Sequence, residues 1–571
     1  MANKGEVRLS VDPVTLEVIR HGLASITDQI EANITRTAFS PYIYEYKDYA
    51  VGLVGADGCL IAQSRGGIPI FVADSVGMAV RDGLQIYGVE RLHHGDVVLC
   101  NAAAVQGQHL NNTVMYTPIY AGARQEKLIG FFAINVHWID VGGSSIGAAT
   151  FHSIDIFMEG LQIRTVKLWS RGEPIEEVYR IIENNTRFPQ ELLGDIAAQL
   201  GGCLMGRDLT AALADKYGVE VFLTAVETIL DQSEASSRAK IRALPDGVYA
   251  AEAFLDDDGV NEATVPVKVR IIIDGDEMTI DFSDMPDQLP TGLNSGRYGG
   301  GQTIARVAFK YLIATDESAN EGTFRPLKMI LPDGKMISAS PTAPMVLYSS
   351  PMPTMIDVIC KALQKVMADR VAGGHFGSHS SVRFYRNYGS GAAAFNCLDS
   401  GHGGWGACAT HDGGGPFRTM AHGDTRLIPM EVQESMYPFR VEELVLRQDS
   451  GGAGKWRGGL GFVKTYRILE PCLLWVNFDR VKCRPWGVNG GKEGLPGRVS
   501  VFRQGVGAPE IFHKTEDYPL NAGDVLRIET GGGGGYGAPE ERAIDLVRRD
   551  VSLGYVSAAA AALDYGVDGA A

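Results

Sequence analysis

The chain has 571 residues, of which 45% are hydrophobic, and a formal net charge of -16. That charge works against nonspecific association with phosphate backbones, and no Lys/Arg-rich segment stands out against it, so nucleic acid is not expected as a partner. No apolar run approaches the roughly 18 residues needed to cross a bilayer, and the opening stretch "MANKGEVRLSVDP" lacks the apolar centre of a signal peptide. A soluble cytoplasmic chain with no membrane contact is the expectation.

A length prior of roughly 100 to 200 residues per domain suggests about three or four packed units. The eight cysteines are scattered without a CxxC pair, which points to reduced packing residues rather than a disulfide framework or a thiolate zinc site. Glycine is the abnormal count: 70 of 571 residues, about 12%, against an average near 7%. The glycines cluster as "GRYGGGQ", "SGHGGWGA", "HDGGGP", "GGAGKWRGGLG" and "TGGGGGYGAP", so tight turns and close backbone approaches punctuate the second half.

In chain order, Asp12 can cap a helix that begins at Pro13, and Leu16, Ile19, Leu23, Ile26, Ile30 and Ile34 fall on one face of it as far as about Ala38. The stretch "DYAVGLVGADGCLIAQ" predicts two short strands joined at Asp57-Gly58, with Asp48 at the entrance of the first. A strand over 95–101, a loop "AAAVQGQHLNN", a strand "TVMYTPIY", a polar link and the strand "KLIGFFAINVH" complete a β-rich unit behind the helix. Residues 172 to about 240 carry helix-period apolar positions with charged faces. The period changes to two in "VPVKVRIIIDGDEMTIDFSD", which turns at Asp274-Gly275, and "PTMIDVICKALQKVMADRV" inserts one helix among short strands. Two helices, "PEERAIDLVRRDVSLG" and "SAAAAALDYG", form the tail.

This pattern is an α+β fold with no alternating βαβ series. Its expected division is an amino-terminal helix with a β-rich metal-site region over residues 1–171, a helical region over 172–244, a glycine-rich and mainly β region with an inserted helix over 245–538, and a helical tail over 539–571.

Two of the twelve histidines stand apart by position. His109 lies in the loop "GQHLNN", and His137 ends the strand that a hairpin brings back beside that loop. With Asp48 entering from the neighbouring hairpin, the set is two nitrogens and one carboxylate, the ligand complement of many open divalent-metal sites. The plainer alternative is a strand leaving the core through a turn with His137 and Asp140 solvated at its mouth, since no compact metal motif fixes the geometry. No GxxxxGK[ST] occurs, so a nucleotide would be bound by another chain. The run 530–539 could be an anion-binding nest, but a glycine turn docking the tail helix is the preferred reading. Neither a "GxSxG" serine nor a distinctive cysteine context announces a nucleophile.

The stretches "RTAFSPYIYEYKDYAVGLVGADGCLIAQ", "GQHLNN", "VHWIDVGG", "NEGTFRPLK", "GGWGA", "GGAGKWRGGLG" and "TGGGGGYGAPEERAIDLVRRDVSLGYVS" together resemble the hydantoinase B/oxoprolinase family, in order and over nearly the whole chain. That resemblance implies the metal-binding B-type subunit of an ATP-dependent cyclic-amide hydrolase opening a hydantoin, lactam or oxoproline ring. It implies a separate A-type partner carrying an actin-like site for ATP and magnesium, with two copies of each chain. The implied metal is zinc, or manganese, on Asp48, His109 and His137, which would be the catalytic residues. Family members commonly place an aspartate where this chain has Asn112, a neutral amide that can still ligate, and many read Asn-Asp-Pro where this chain has Asn101-Ala102-Ala103. Asp140 is read as a strand-end cap or a support for a ligand rather than a ligand. His402, His411 and His422 are read as satisfying loop carbonyls, with lining the pocket as the alternative. The rival functions are a subunit of an ATP-dependent ketone carboxylase of the acetone or acetophenone type, and a non-catalytic scaffold of such a complex.

Overall fold

The computed structural model describes residues 11–389 and 391–568. The opening helix spans Pro13–Thr37, with the Asp12 carboxylate accepting hydrogen bonds from the amides of Val14 and Thr15 at its start. Leu16, Ile19, Leu23, Ile30 and Ile34 of its apolar stripe are buried and Ile26 partly so, against a 29-residue helix, Pro189–Tyr217, and the edge of a seven-stranded sheet. Gly206 lets that long helix lie flat on the sheet: a Cβ there would stand 2.3 Å from the Phe132 ring.

The sheet is antiparallel throughout, in the order Leu60–Gln63, Tyr49–Gly55, Lys127–His137, Asn112–Ala121, Val97–Cys100, Val166–Ser170 and Glu173–Pro174. Its central strands are buried on both faces. Helix Ser75–Tyr87, which the pattern reading passed over, covers part of it. The loop expected at "AAAVQGQHLNN" contains a single helical turn, Ala103–Gln106, ended by Gly107 in the left-handed region (φ 68°).

Pro189–Tyr217 and two further helices, Glu176–Glu183 and Val219–Arg242, occupy the predicted helical stretch. Beyond them lies a four-stranded sheet in the order Leu327–Ile330, Glu277–Asp281, Val265–Asp274, Gly247–Leu255, whose strand Val265–Asp274 alternates buried and exposed residues. The helix expected over 353–371 forms only as Met352–Ala362, and the structure adds Thr303–Ile313, buried at nine of its eleven positions and so without a polar face to announce it.

A sheet of Phe395–Ser400, Ser381–Arg386, Cys472–Asn477 and Lys514–Leu520 packs on one of Phe439–Leu446, Phe462–Ile468, Val525–Glu529, Arg498–Phe502 and Glu510–Phe512 around Val382, Phe384, Tyr466, Leu474 and Leu526. The tail helices Ile544–Ser552 and Ala558–Tyr565 dock through Val547, Val556 and Ala561. All eight cysteines are free, and among the described residues no helix is long and apolar enough to cross a membrane.

Residues 531–535 are neither a turn nor an anion nest. They run through the middle of the other glycine segments. The amides of Gly532, Gly533, Gly534 and Gly535 donate to the carbonyls of Leu495, Gly459, Gly374 and Lys492 at 2.9–3.0 Å, so none is left to hold an anion. The neighbouring backbones come so close that a Cβ on Gly533 would lie 2.0 Å from the Trp405 carbonyl oxygen.

Candidate active site

Strand register gathers the predicted residues at one end of three adjacent strands. Tyr49 pairs with Val136, and Asn112 pairs with His137. Asp48 sits one residue before its strand, after Lys47 turns the chain with a positive φ of 63°. The Asp48 carbonyl accepts the His137 amide at 3.0 Å. His109 arrives from the loop beyond Gly107, its ring 5.0 Å from that of His137 and 4.8 Å from that of Tyr348, centroid to centroid.

Asn112 is fully buried and tied on every side. Its Nδ2 donates to Gln108 Oε1 at 3.0 Å and to Tyr348 Oη at 2.7 Å, which turns its Oδ1 to accept from His109 Nε2 at 2.9 Å. The other nitrogen of His109 faces the Val346 carbonyl at 3.3 Å. Asp140 is a cap: its carboxylate accepts from the amides of Gly142, Gly147 and Arg187 and from Arg187 Nη1 at 2.8 Å.

Asp48, His109 and His137 line one small cavity of about 80 Å³. Its opposite wall comes from the segment around Tyr348 and from the end of the sheet containing Ser381–Arg386. That wall brings His379, His422, Arg383 and the hydroxyls of Ser381 and Ser400 to the same space. The rings of His379 and His422 lie 3.8 Å apart. His379 Nε2 donates to the Ser349 carbonyl at 2.9 Å, and His422 Nδ1 meets Thr419 Oγ1 at 3.0 Å. His422 thus lines the pocket, whereas His402 and His411 do not, His411 being engaged with Cys408 and Thr410. The sequence reading did not single out His379 or Arg383, and no motif marks either.

Burial sets the protonation of these groups. It pushes the Asp48 carboxyl up to about 7, opposed by the guanidiniums of Arg418 and Arg383. It pushes His109 down to about 4, His379 down to about 3, and His137 and His422 well below the usual imidazole range. Four neutral imidazoles therefore face one another at neutral pH.

The sequence pattern of the hydantoinase B/oxoprolinase family matches residues 12–539. The chain belongs to that family. Among its relatives in the family is an uncharacterized protein of Methanocaldococcus jannaschii, 32% identical, the match covering 98% of this chain and 96% of that one. Caprolactamase subunit beta of Pseudomonas jessenii is 29% identical, with 98% and 96% covered. The fold superposes on the crystal structure of the ATP-dependent caprolactamase from Pseudomonas jessenii with a TM-score of 0.89 at 26% identity, over 99% of this chain and 98% of that one.

For a hydantoinase B chain, the implied metal can be tested against the residues present. Two neutral imidazoles and a carboxylate suit zinc or manganese. Among the described residues His137 Nδ1 is buried without a hydrogen-bond partner and no hydrogen bond reaches the Asp48 carboxylate, so both have lone pairs to offer. His109 is different, because Asn112 competes for its Nε2. Among the described residues, no three His, Cys, Asp or Glu side chains stand together as a metal-holding group. The donors fit by chemistry, and the amide at 112 weakens the set.

Proposed function

We propose that this chain is the metal-binding B-type subunit of an ATP-dependent hydrolase of cyclic amides, a hydantoin, lactam or oxoproline, working in the cytoplasm with an A-type subunit that binds ATP and magnesium, two copies of each. One observation carries the reading: the register that delivers Asp48, His109 and His137 to a single buried cavity. The family relative called caprolactamase subunit beta and the likeness to an ATP-dependent caprolactamase support it, as does the lack of a phosphate-loop motif in this chain.

Resonance makes an amide a poor electrophile, and phosphorylation by a partner would supply a leaving group and a driving force. Zinc or manganese held by Asp48, His109 and His137 would supply a Lewis acid for the amide oxygen or a water of lowered pKa. The chain's own residues do the positioning. His137, kept neutral by burial, presents the lone pair of Nδ1 rather than charge, and His109 would offer one once Asn112 yields its Nε2. The apolar walls of Leu347, Leu398 and Trp475 suit the methylenes of a small ring and exclude bulk water. Tyr348, anchored through Asn112, holds the His109 side of the pocket in place.

The test is copurification with the A-type subunit, metal analysis of the complex, and a screen of hydantoins, lactams, 5-oxoproline and ketones with bicarbonate for substrate-dependent ATP hydrolysis. Ring opening coupled to ATP, with about one zinc or manganese per chain, is expected. Turnover of ketones alone would make it a carboxylase subunit, and a complex without stoichiometric metal would leave only the scaffold role.

A further inference from the structure

Arg383 lines the cavity with only 6% of its surface exposed, and among the described residues no carboxylate pairs with it. Its Nη1 donates to the Gly147 carbonyl and, at 3.2 Å, to Asn396 Oδ1. Its Nε is buried without any hydrogen-bond partner, and its Nη2 donates to nothing among the described residues. One edge of the guanidinium is therefore tied down and the other left unpaired. The unpaired Nε/Nη2 edge is the one that grips a carboxylate or phosphoryl group side-on with two parallel hydrogen bonds.

The charges around it do not balance. Behind His379, Arg418 is also buried and is satisfied only by neutral groups: Thr425, the carbonyls of His379 and Gly401, and the Tyr46 hydroxyl. The one carboxylate in the cavity wall is Asp48. Asp399, on the strand paired with that of Arg383, belongs to Lys464 at 2.9 Å, and Asp140 belongs to Arg187. Two buried cations thus share one anion, and an uncompensated buried guanidinium is costly unless a ligand completes it. Hydroxyls stand ready beside it. Ser381 and Ser400 face each other at 3.2 Å, and Ser350 already accepts from Asn477, leaving its own proton to donate.

We infer that Arg383 forms an oxyanion subsite in this cavity, so that the ligand taken there carries a phosphoryl or carboxylate group beside its reacting amide. The inference rests on the cavity being the reactive site proposed above, and it narrows the substrate class to anions. Such a group has two sources: a phosphoryl group added by the partner, or a carboxylate native to the substrate, as in 5-oxoproline.

The experiment is calorimetric titration of the full chain, in the presence of a chelator, with inorganic phosphate, acetate, 5-oxoproline and the neutral ring 2-pyrrolidinone. Saturable binding of phosphate, or of acetate and 5-oxoproline, is expected, and whichever anion binds more tightly identifies the source. Arg383→Gln should weaken that binding by about tenfold or more, and Arg383→Lys by less. Because Arg383 is buried and its variants can fail to fold, a second variant is independent of it. Ala148 lines the cavity in the left-handed region (φ 64°), which aspartate tolerates, and Ala148→Asp should weaken the anion by a similar factor through repulsion. Absence of saturable anion binding by the unmodified chain, or affinity unchanged in Ala148→Asp and in a folded Arg383→Gln, overturns the inference. None of these titrations needs ATP, the partner or the metal. A failed ring-opening screen therefore counts against the proposed function, and a failed titration against the subsite.

Discussion

The glycine lattice around residues 531–535 and the histidine cavity are both buried, yet they treat polar groups in opposite ways. In the lattice the amides of four successive glycines each meet a carbonyl from another segment. In the cavity, among the described residues, His137 Nδ1 and Arg383 Nε have no hydrogen-bond partner and no hydrogen bond reaches the Asp48 carboxylate. Buried polar groups in folded proteins are overwhelmingly paired, so the contrast separates scaffold from chemistry: satisfied backbone holds shape, and unsatisfied side chains await a ligand.

The largest break in that comparison is Gly533→Ala. Its methyl would stand 2.0 and 2.2 Å from the Trp405 carbonyl oxygen and carbon, backbone atoms that cannot rotate away. A loss of more than about 4 kcal/mol, seen as insoluble chain or a collapsed urea midpoint, is expected. A midpoint within about 1 kcal/mol of the parent would show that the lattice is looser than its contacts state.

The cavity should behave the other way. His137→Ala removes a group whose Nδ1 has no partner, so unfolding should shift by less than about 2 kcal/mol. ATP-coupled ring opening should fall by about a thousandfold or more if the side chain holds the metal. Calorimetry beside turnover and metal content decides it, and retained turnover removes His137 from the site.

Glu159 sharpens the comparison behind the cavity. Its Oε1 accepts from the amides of Met345 and Val346, and its Oε2 has no partner. Burial pushes its pKa up to about 8 from 4.5. A carboxyl raised on folding contributes stability that is fully present below the unfolded value and is lost as pH rises through the folded one. Glu159→Gln should therefore match the parent near pH 4.5 and exceed it by about 2 to 4 kcal/mol above pH 8. Denaturant melts of both proteins across that range check it. A constant difference between them would mean that Glu159 is ionised throughout.

The sequence announced some of this architecture through local signals. The Asp12 cap, the Asp57-Gly58 hairpin and the alternation in Val265–Asp274 are short-range patterns, and each element formed where its pattern lay. Helix Thr303–Ile313 was not legible, because it is buried at nine of its eleven positions and shows no polar face, and helix Ser75–Tyr87 was passed over although seven of its thirteen residues are buried. At the site, Asp48, His109 and His137 could be brought together because they flank strands adjacent in sequence. His379 and Arg383 reach the same cavity from a different sheet, more than 240 residues beyond His137 in the chain, and no spacing rule spans such a distance. The run 530–539 misled because five glycines look like a turn in isolation; only the surrounding backbones show that they are filler for a space too narrow for side chains.

The smallest effect tests whether glycine content itself matters or only its placement. In helix Pro189–Tyr217, Gly206 faces the sheet at 2.3 Å from Phe132, while Gly201 is exposed and a Cβ there would meet nothing within 4 Å. Helical glycine costs roughly 0.5 to 1 kcal/mol relative to alanine, because more backbone freedom is lost on folding. Gly201→Ala should therefore raise stability by about that amount, whereas Gly206→Ala should lower it by about 1 to 3 kcal/mol as the Phe132 ring is forced aside. Chemical melts of the two variants give the sign directly. If both raised stability, the approach of helix to sheet would not need its glycine, and the packing argument applied to the lattice would weaken with it.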